Sequence, residues 1–221
     1  MAVSARAQEE DVMVKQVRAA RTRQALVRAA AEVFAEDGYA MASLPAISKR
    51  AGVSAGALHF HFASKDALAR EVESAAAECA QALAEQCRSS SATLLQSLVG
   101  ATGRLLAFAG ADPVVRAGFR LGADPSRKGA GALQQWWQTW VGDLLEEAQE
   151  GGELAEGVCA GDAAGAIVAA TVGLEVLGGA EPGRLSGERV AGFWAFVLPR
   201  LAARPQQAAL TAAPPAGEDT E

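Results

Sequence analysis

A chain of 221 residues with 50% hydrophobic content can bury a substantial core, in one or two compact units. It has no uninterrupted apolar run of about 18 residues, so no membrane span is expected, and the charged N-terminus (MAVSARAQEEDVMVKQVR) lacks an apolar signal segment, which points to the cytoplasm. The net charge of −6 is unevenly spread: Lys15 to Arg70 holds nine Lys/Arg against four Asp/Glu, net +5, and the chain from Glu71 onward is net −9. A basic head on an acidic body suits a nucleic-acid-binding unit joined to a module with another task.

In chain order, residues 1–15 are mixed in charge and read as a loose arm. An amphipathic helix follows from about Val17 to Asp37, with Leu26, Ala30, Val33 and Phe34 at helical spacing and Gly38 as its stop. Ser43 can cap a short helix, Leu44 to Ala51, whose Leu44, Ile47 and Ala51 share one inward face, and Pro45 sits in the first turn, where a missing N–H costs little. Gly52 stands where a helix ends in a left-handed residue. Ser54 caps a second short helix, Ala55 to about His61, and Ser64 caps a third, with Lys65 and Asp66 in its first turn.

Lys65 to Arg88 is rich in Ala and Glu without Gly or Pro, which favours one long helix broken at Ser89 to Ser91. Thr93 to Ala109 is helical again, Asp112-Pro113 opens a short helix to about Leu121, and Gly122 to Gly131 is a loop. Leu133 to Glu150, Asp162 (as cap) to Leu177, and Ser186 to Ala203 complete the helices. Beyond Pro205 the composition turns to Ala, Pro, Gln and acid and reads as disordered. The fold class is all-α, divided into an arm (1–15), a basic head (16–64), a helical body (65–204) and a tail (205–221).

Two short helices around a Gly-containing turn describe a helix-turn-helix, whose second helix enters the major groove. On that helix Ala55, Gly56 and Ala57 are small enough for close approach or for contact with a thymine methyl, without bidentate hydrogen bonding. His59 can donate to a phosphate or a base. Leu58 and Phe62 belong to the core by spacing, and Phe60 is compatible with either surface or core. Gly52-Val53-Ser54-Ala55-Gly56 also spells G-x-S-x-G, but a hydrolase elbow needs a preceding strand and a later His, and no histidine follows His61. His59 and His61, at i and i+2, point apart on a helix, so no metal site is expected. Cys79, Cys87 and Cys159 show no paired spacing and read as buried free thiols of a reducing compartment.

The run from Gly38-Tyr39 through the capping Ser and IxxxAGVSxGxLxxHFxSKxxL resembles the DNA-binding domain of TetR-type repressors, over roughly the first 75 residues. The resemblance implies phosphate contacts at Thr22 and Arg23, a backbone-binding Lys65, and a DNA-facing set completed by Ser43, Ser54, Ala55, Gly56, Ala57, His59, Phe60 and His61. The chain has Ala55 and His59 where such proteins often carry Lys and Tyr. A second stretch, DPVVRAGFRL, with a following Trp-bearing helix and a late GLEVLGG, is similar to the γ-butyrolactone-receptor branch of that family. It implies a small lactone-like effector gripped by Trp137, with Trp136 as the alternative and Val141 and Leu144 beside it. Each tryptophan is also compatible with plain packing.

The family further implies a homodimer built on the last two helices, with Phe193, Trp194 and Val197 as candidate contacts and Gly165, Ala169 and Gly173 as a smooth strip. The implied function is a non-enzymatic repressor without cofactor or membrane attachment, released from a palindromic double-stranded DNA operator by its effector to control secondary-metabolite genes. A paralogue answering to another metabolite, and a ligand-sequestering protein with weakened DNA binding, are the alternatives.

Overall fold

The computed structural model describes residues 2–127, 131–179 and 187–203, so the expected tail lies outside the described residues. Helix α1 spans Ala2–Met41, broken at Gly38 (φ 77°, ψ 166°), so its straight part ends where the sequence places the stop. It starts ahead of the expected Val17 and takes in the residues read as a loose arm. Helices α2 (Leu44–Arg50) and α3 (Ala55–His61) are capped as expected: Ser43 Oγ accepts from the Ala46 amide at 3.3 Å and Ser54 Oγ from the Ala57 amide at 3.2 Å. Gly52 between them has φ +66°, the left-handed conformation that L side chains resist.

The body comprises α4 (Lys65–Ser90), α5 (Leu94–Ala111), α6 (Pro113–Ala123), α7 (Ala132–Glu150), α8 (Ala160–Gly179) and α9 (Gly187–Leu201). Ser64, Thr93 and Asp112 cap α4, α5 and α6 through their side-chain oxygens. Several boundaries shift by a residue or two, and two differ from expectation for a visible reason. Ser89 and Ser90 do not break α4, because their hydroxyls donate back to the Gln86 carbonyl and the helix runs on. Asp162 is not the cap of α8, which begins at Ala160 with its amide on Gln149 Oε1 at 3.0 Å. Among the described residues the only extended pairing is an isolated antiparallel bridge, Leu154 with Ala202, which ties the α7–α8 turn to the end of α9.

Two cores organise these helices. The head core gathers Leu26, Ala30, Val33 and Phe34 of α1, Ile47 of α2, Leu58 of α3 and Phe62. It also takes Leu68, Ala69 and Val72 of α4, so the head continues past the expected boundary at residue 64. The body core is built from α4 to α9 around Leu95, Leu98, Leu105, Trp137, Leu145 and Trp194. Helix α6 serves both: Ala117 and Leu121 pack into the head core, Val115 and Phe119 into the body core, and Val114 touches each. A buried leucine such as Leu121 stabilises by about 1.5–3 kcal/mol, so one short helix holds the two units at a fixed angle.

That fixed angle depends on a close approach at Gly118. A Cβ there would sit 2.5 Å from the Ala76 Cβ and 3.2 Å from Leu133 Cδ2. Gly118→Ala gains about 1 kcal/mol of helix propensity, but the clash with another helix's Cβ has no flexible end to yield, and overpacking costs about 1–3 kcal/mol. We expect a net loss of stability on urea denaturation; a variant as stable as the parent would show that α6 can stand off from α4.

Candidate nucleic-acid interface and effector site

The recognition helix α3 is anchored from below by Leu58 and Phe62, 1% and 4% exposed, as their spacing predicts. Its outward residues are Ala55, Gly56, His59 and Phe60, with Ala57 and His61 half-buried. Phe60 is 82% exposed, which settles it as a surface residue, and its ring meets the His61 ring edge-on at 5.2 Å. A bare aromatic next to two small residues is an apolar contact surface suited to thymine methyl groups.

The cations of the head divide into two sets. Arg23 is ion-paired to Glu71, and its guanidinium lies 5.0 Å from the Phe62 ring centroid, so it ties α1 to α3 and α4. That hydrogen bond raises the Arg23 pKa and holds the Glu71 carboxyl below its ordinary value. Arg50 grips Glu36 at 2.8 Å and Glu32 at 3.4 Å, and Arg70 pairs with Asp66 one turn away. Arg28 is shared between Glu32 and Asp112. Lys65, expected on the DNA backbone, has other partners: its ammonium donates to the carbonyls of Tyr39 (2.8 Å), Ala42 (3.0 Å) and Ala40 (3.4 Å) and sits 4.4 Å from the Tyr39 ring centroid. Three donors meet three acceptors, so Lys65 closes the end of α1. Thr22 likewise donates to the Arg18 carbonyl at 3.0 Å. Arg18, Arg21 and Lys49 are exposed and have no carboxylate partner among the described residues.

In the body, Trp137, Val141 and Leu144 share the buried face of α7, at 2%, 0% and 1% exposure. Trp136 and Trp140 flank them half-buried, and Trp140 stacks on both Trp136 and Trp137, with centroids 6.0 and 5.2 Å apart. The Trp137 indole N–H is buried without an acceptor, as is that of Trp194 on α9. A buried donor left unpaired costs about 1–3 kcal/mol, so each indole carries an unmet hydrogen bond here, as do Nε and Nη1 of Arg127. Trp136, by contrast, borders an open cleft of about 520 Å³ between α4 and α7, lined also by Ser74, Glu78, Gln81, Gln135 and Thr139.

Against this geometry the comparisons with known proteins are specific. The sequence profile of bacterial regulatory proteins of the tetR family matches residues 26–72, which is the head core together with the first turns of α4. The A-factor receptor protein of Streptomyces griseus is 36% identical over 196 residues, covering 86% of this chain and 67% of that protein. The chain belongs to the TetR family of regulatory proteins. Among solved structures, a γ-butyrolactone receptor described as ArpA-like superposes with a TM-score of 0.75 at 25% identity, covering 87% of this chain and 94% of its own. CprB from Streptomyces coelicolor, in complex with its biological operator sequence, superposes with a TM-score of 0.72 at 26% identity, over 87% of this chain and 94% of that one.

Within this TetR-family fold Ser43 and Ser54 are the expected helix caps, and Arg23 and Lys65 have partners within the head. Trp194, expected at a dimer contact, is 0% exposed inside the single chain, so its packing is internal. The Gly165, Ala169 and Gly173 strip is not packed on a neighbouring helix of this chain, and Gly165 and Gly173 have nothing within 4 Å of a Cβ position. All three cysteines are free, but only Cys87 is buried as expected: Cys79 is half-buried, which pushes its thiol up, and Cys159 is exposed. No group of three potential metal ligands occurs among the described residues.

The sequence reading missed Glu175. It lies on the inward stripe of α8 one turn from Thr171, is 6% exposed, and has no ion-pair or hydrogen-bond partner among the described residues. Burial pushes its carboxyl above the ordinary value of 4.5, opposed by the charges of Arg120 and Arg116. A raised folded pKa for an acid means that its cost is absent below the unfolded value and grows as pH rises through the folded one. Glu175→Gln should therefore stabilise the protein at pH 7 and above. The gain should vanish near pH 4, where both states carry the proton, and thermal melts across that range would show it. A gain that persists in acid would mean that the carboxyl is not titrating.

Proposed function

We propose that this protein is a ligand-responsive transcriptional repressor that holds a palindromic operator as a homodimer and releases it on binding a small lactone-like signal. The observation that carries the ligand half is the Trp137 indole: a large apolar face whose buried N–H has no acceptor. A lactone or ketone carbonyl would supply that acceptor while its hydrocarbon part occupies the apolar wall of Val141 and Leu144. The similarity to the A-factor receptor protein and to γ-butyrolactone receptor structures supports the same effector class. Control of secondary-metabolite genes and residence in the cytoplasm belong to this reading. Trp136, on the cleft side, is the second candidate contact.

For DNA, we assign the readout to Ala55, Gly56, Ala57, His59, Phe60 and His61, and the backbone attraction to Arg18, Arg21 and Lys49, with Thr22 and Arg23 at the edge of the surface. Similarity to an operator-bound relative supports this surface. The dimer is assigned to α8 and α9. Helix α8 has a mean hydropathy of 1.5 over Ala160–Gly178, yet only 28% of that window is buried. Val176 (55% exposed), Leu177 (61%) and Phe196 (68%) extend its open apolar strip. A second copy of this face would cover it, setting two recognition helices about one helical turn of DNA apart.

Two measurements test this reading. With three unpaired cations per head, a dimer neutralises about six phosphates, so log affinity should fall against log salt with a slope near about −5. A slope several times steeper would mean that the internally paired arginines open to reach DNA. Trp137→Phe keeps the ring and removes the N–H, so it should leave operator binding in place. It should weaken release by a γ-butyrolactone about 10-fold, the effect of one lost hydrogen bond of about 1.4 kcal/mol. Unchanged release in a gel-shift titration would take Trp137 out of the effector site.

A further inference from the structure

Arg127 stands in the connection between α6 and α7, far from the recognition helix in sequence, and its side chain is only 10% exposed. Its guanidinium pairs with Glu73 of α4 (Nη1 to Oε1 2.7 Å, Nη2 to Oε2 2.9 Å) and reaches Asp66 in the first turn of α4 at 3.5 Å. It also lies 5.1 Å from the ring centroid of Tyr39, at the end of α1. Glu73 is 6% exposed, so this is a buried pair rather than a surface one. Removing one partner of such a pair leaves an uncompensated charge, which holds the two sides in step.

The surrounding contacts stiffen the joint. Asp124 accepts from the Ser126 hydroxyl and amide, and these bonds, with Arg127 and the Tyr39 backbone N–H, hold its carboxyl below the ordinary value. Gly131, at the far end of the connection, lies so close to α4 that a Cβ would sit 2.6 Å from Glu73 Oε1 and 2.9 Å from the Gly122 Cα. Helix α7 starts at the next residue and carries Trp137 less than two turns on. On the head side, the Tyr39 ring and carbonyl are held by Lys65.

We propose that Arg127 is the positioning residue that couples the effector domain to the DNA-binding head. This rests on the ligand-responsive repressor reading above. A shift at the start of α7 moves the Arg127 guanidinium, which carries Glu73 and Asp66 on α4 and Tyr39 at the end of α1 with it. Both halves of the head's frame are thereby moved together. Because binding linkage is reciprocal, the same joint transmits operator binding back to α7.

The reciprocal direction gives a test that needs no effector. Amide hydrogen exchange would be followed on the full-length protein with and without a duplex that the protein selects from random DNA. In the parent protein, operator binding should slow exchange over residues 132–140 by about threefold or more. The pair Arg127→Met with Glu73→Gln removes both charges together. It should bind the same duplex within about threefold and lose that protection, whereas a merely structural Arg127 would lower stability and leave it in place. Should the double variant not fold, Arg127→Lys, which keeps the charge and loses the fork, is judged by the same two outcomes. Protection retained in the variant, or absent in the parent, overturns the proposal. Failure of the parent to bind any selected duplex would instead reject the DNA-binding reading, and the coupling with it.

Discussion

The contact on which the rest of the molecule depends is the seating of α6 against α4 at Gly118. It brings helix backbones close enough that a Cβ would overlap the Ala76 methyl. Because α6 carries Val115 and Phe119 on one side and Ala117 and Leu121 on the other, that seating fixes the body core and the head core at once. Helix α4 is shared in the same manner, with Leu68, Ala69 and Val72 in the head and Ala76, Ala80 and Ala84 in the body. No flexible linker separates the two units. A change of shape in one is therefore felt as a tilt in the other, which is the mechanical requirement for a regulator whose effector site and DNA surface are far apart.

Electrostatics in the head follows the same economy. The net positive charge of the first third of the chain is real, but much of it is internal: Arg23, Arg28, Arg50, Arg70 and Lys65 each face a carboxylate or a carbonyl. These ties orient α1, α2 and the start of α4 about the small α3, whose seven residues could not hold a helix alone. The cations left for phosphates are few, and the contact surface of α3 is small and apolar apart from His59 and His61. Specificity in such an arrangement depends on shape and methyl contacts more than on bidentate hydrogen bonds.

The body holds several buried polar groups without partners among the described residues. The indole N–H groups of Trp137 and Trp194 are unpaired in the core, Arg127 Nε and Nη1 lack hydrogen bonds beside Glu73, and the Glu175 carboxyl is buried on the inward side of α8. Each would be replaced at a gain in stability if packing were the only demand. The persistence of Trp137, Trp194 and Glu175 together, beneath an α8 whose opposite face is open and apolar, fits a module with a ligand inside and a second subunit outside.

The sequence by itself determined what short-range chemistry decides. Caps at Ser43, Ser54, Ser64 and Asp112, the left-handed Gly52, and the apolar periods of α1 and α7 are each readable within a few residues, because their partners lie within one turn. The face of α7 that carries Trp137 was legible for the same reason. Tertiary structure alone decided which charged groups meet. Lys65 turns back to carbonyls 23 to 26 positions earlier, and Arg127 reaches Glu73 across 54 positions. Trp194 is enclosed by helices that its own period cannot name, and Glu175 falls inward on a helix apolar all round, where no polar face exists to reveal its direction. Side-chain charge acts through space and periodicity acts along the chain, so only the folded chain could show which cations hold the protein together.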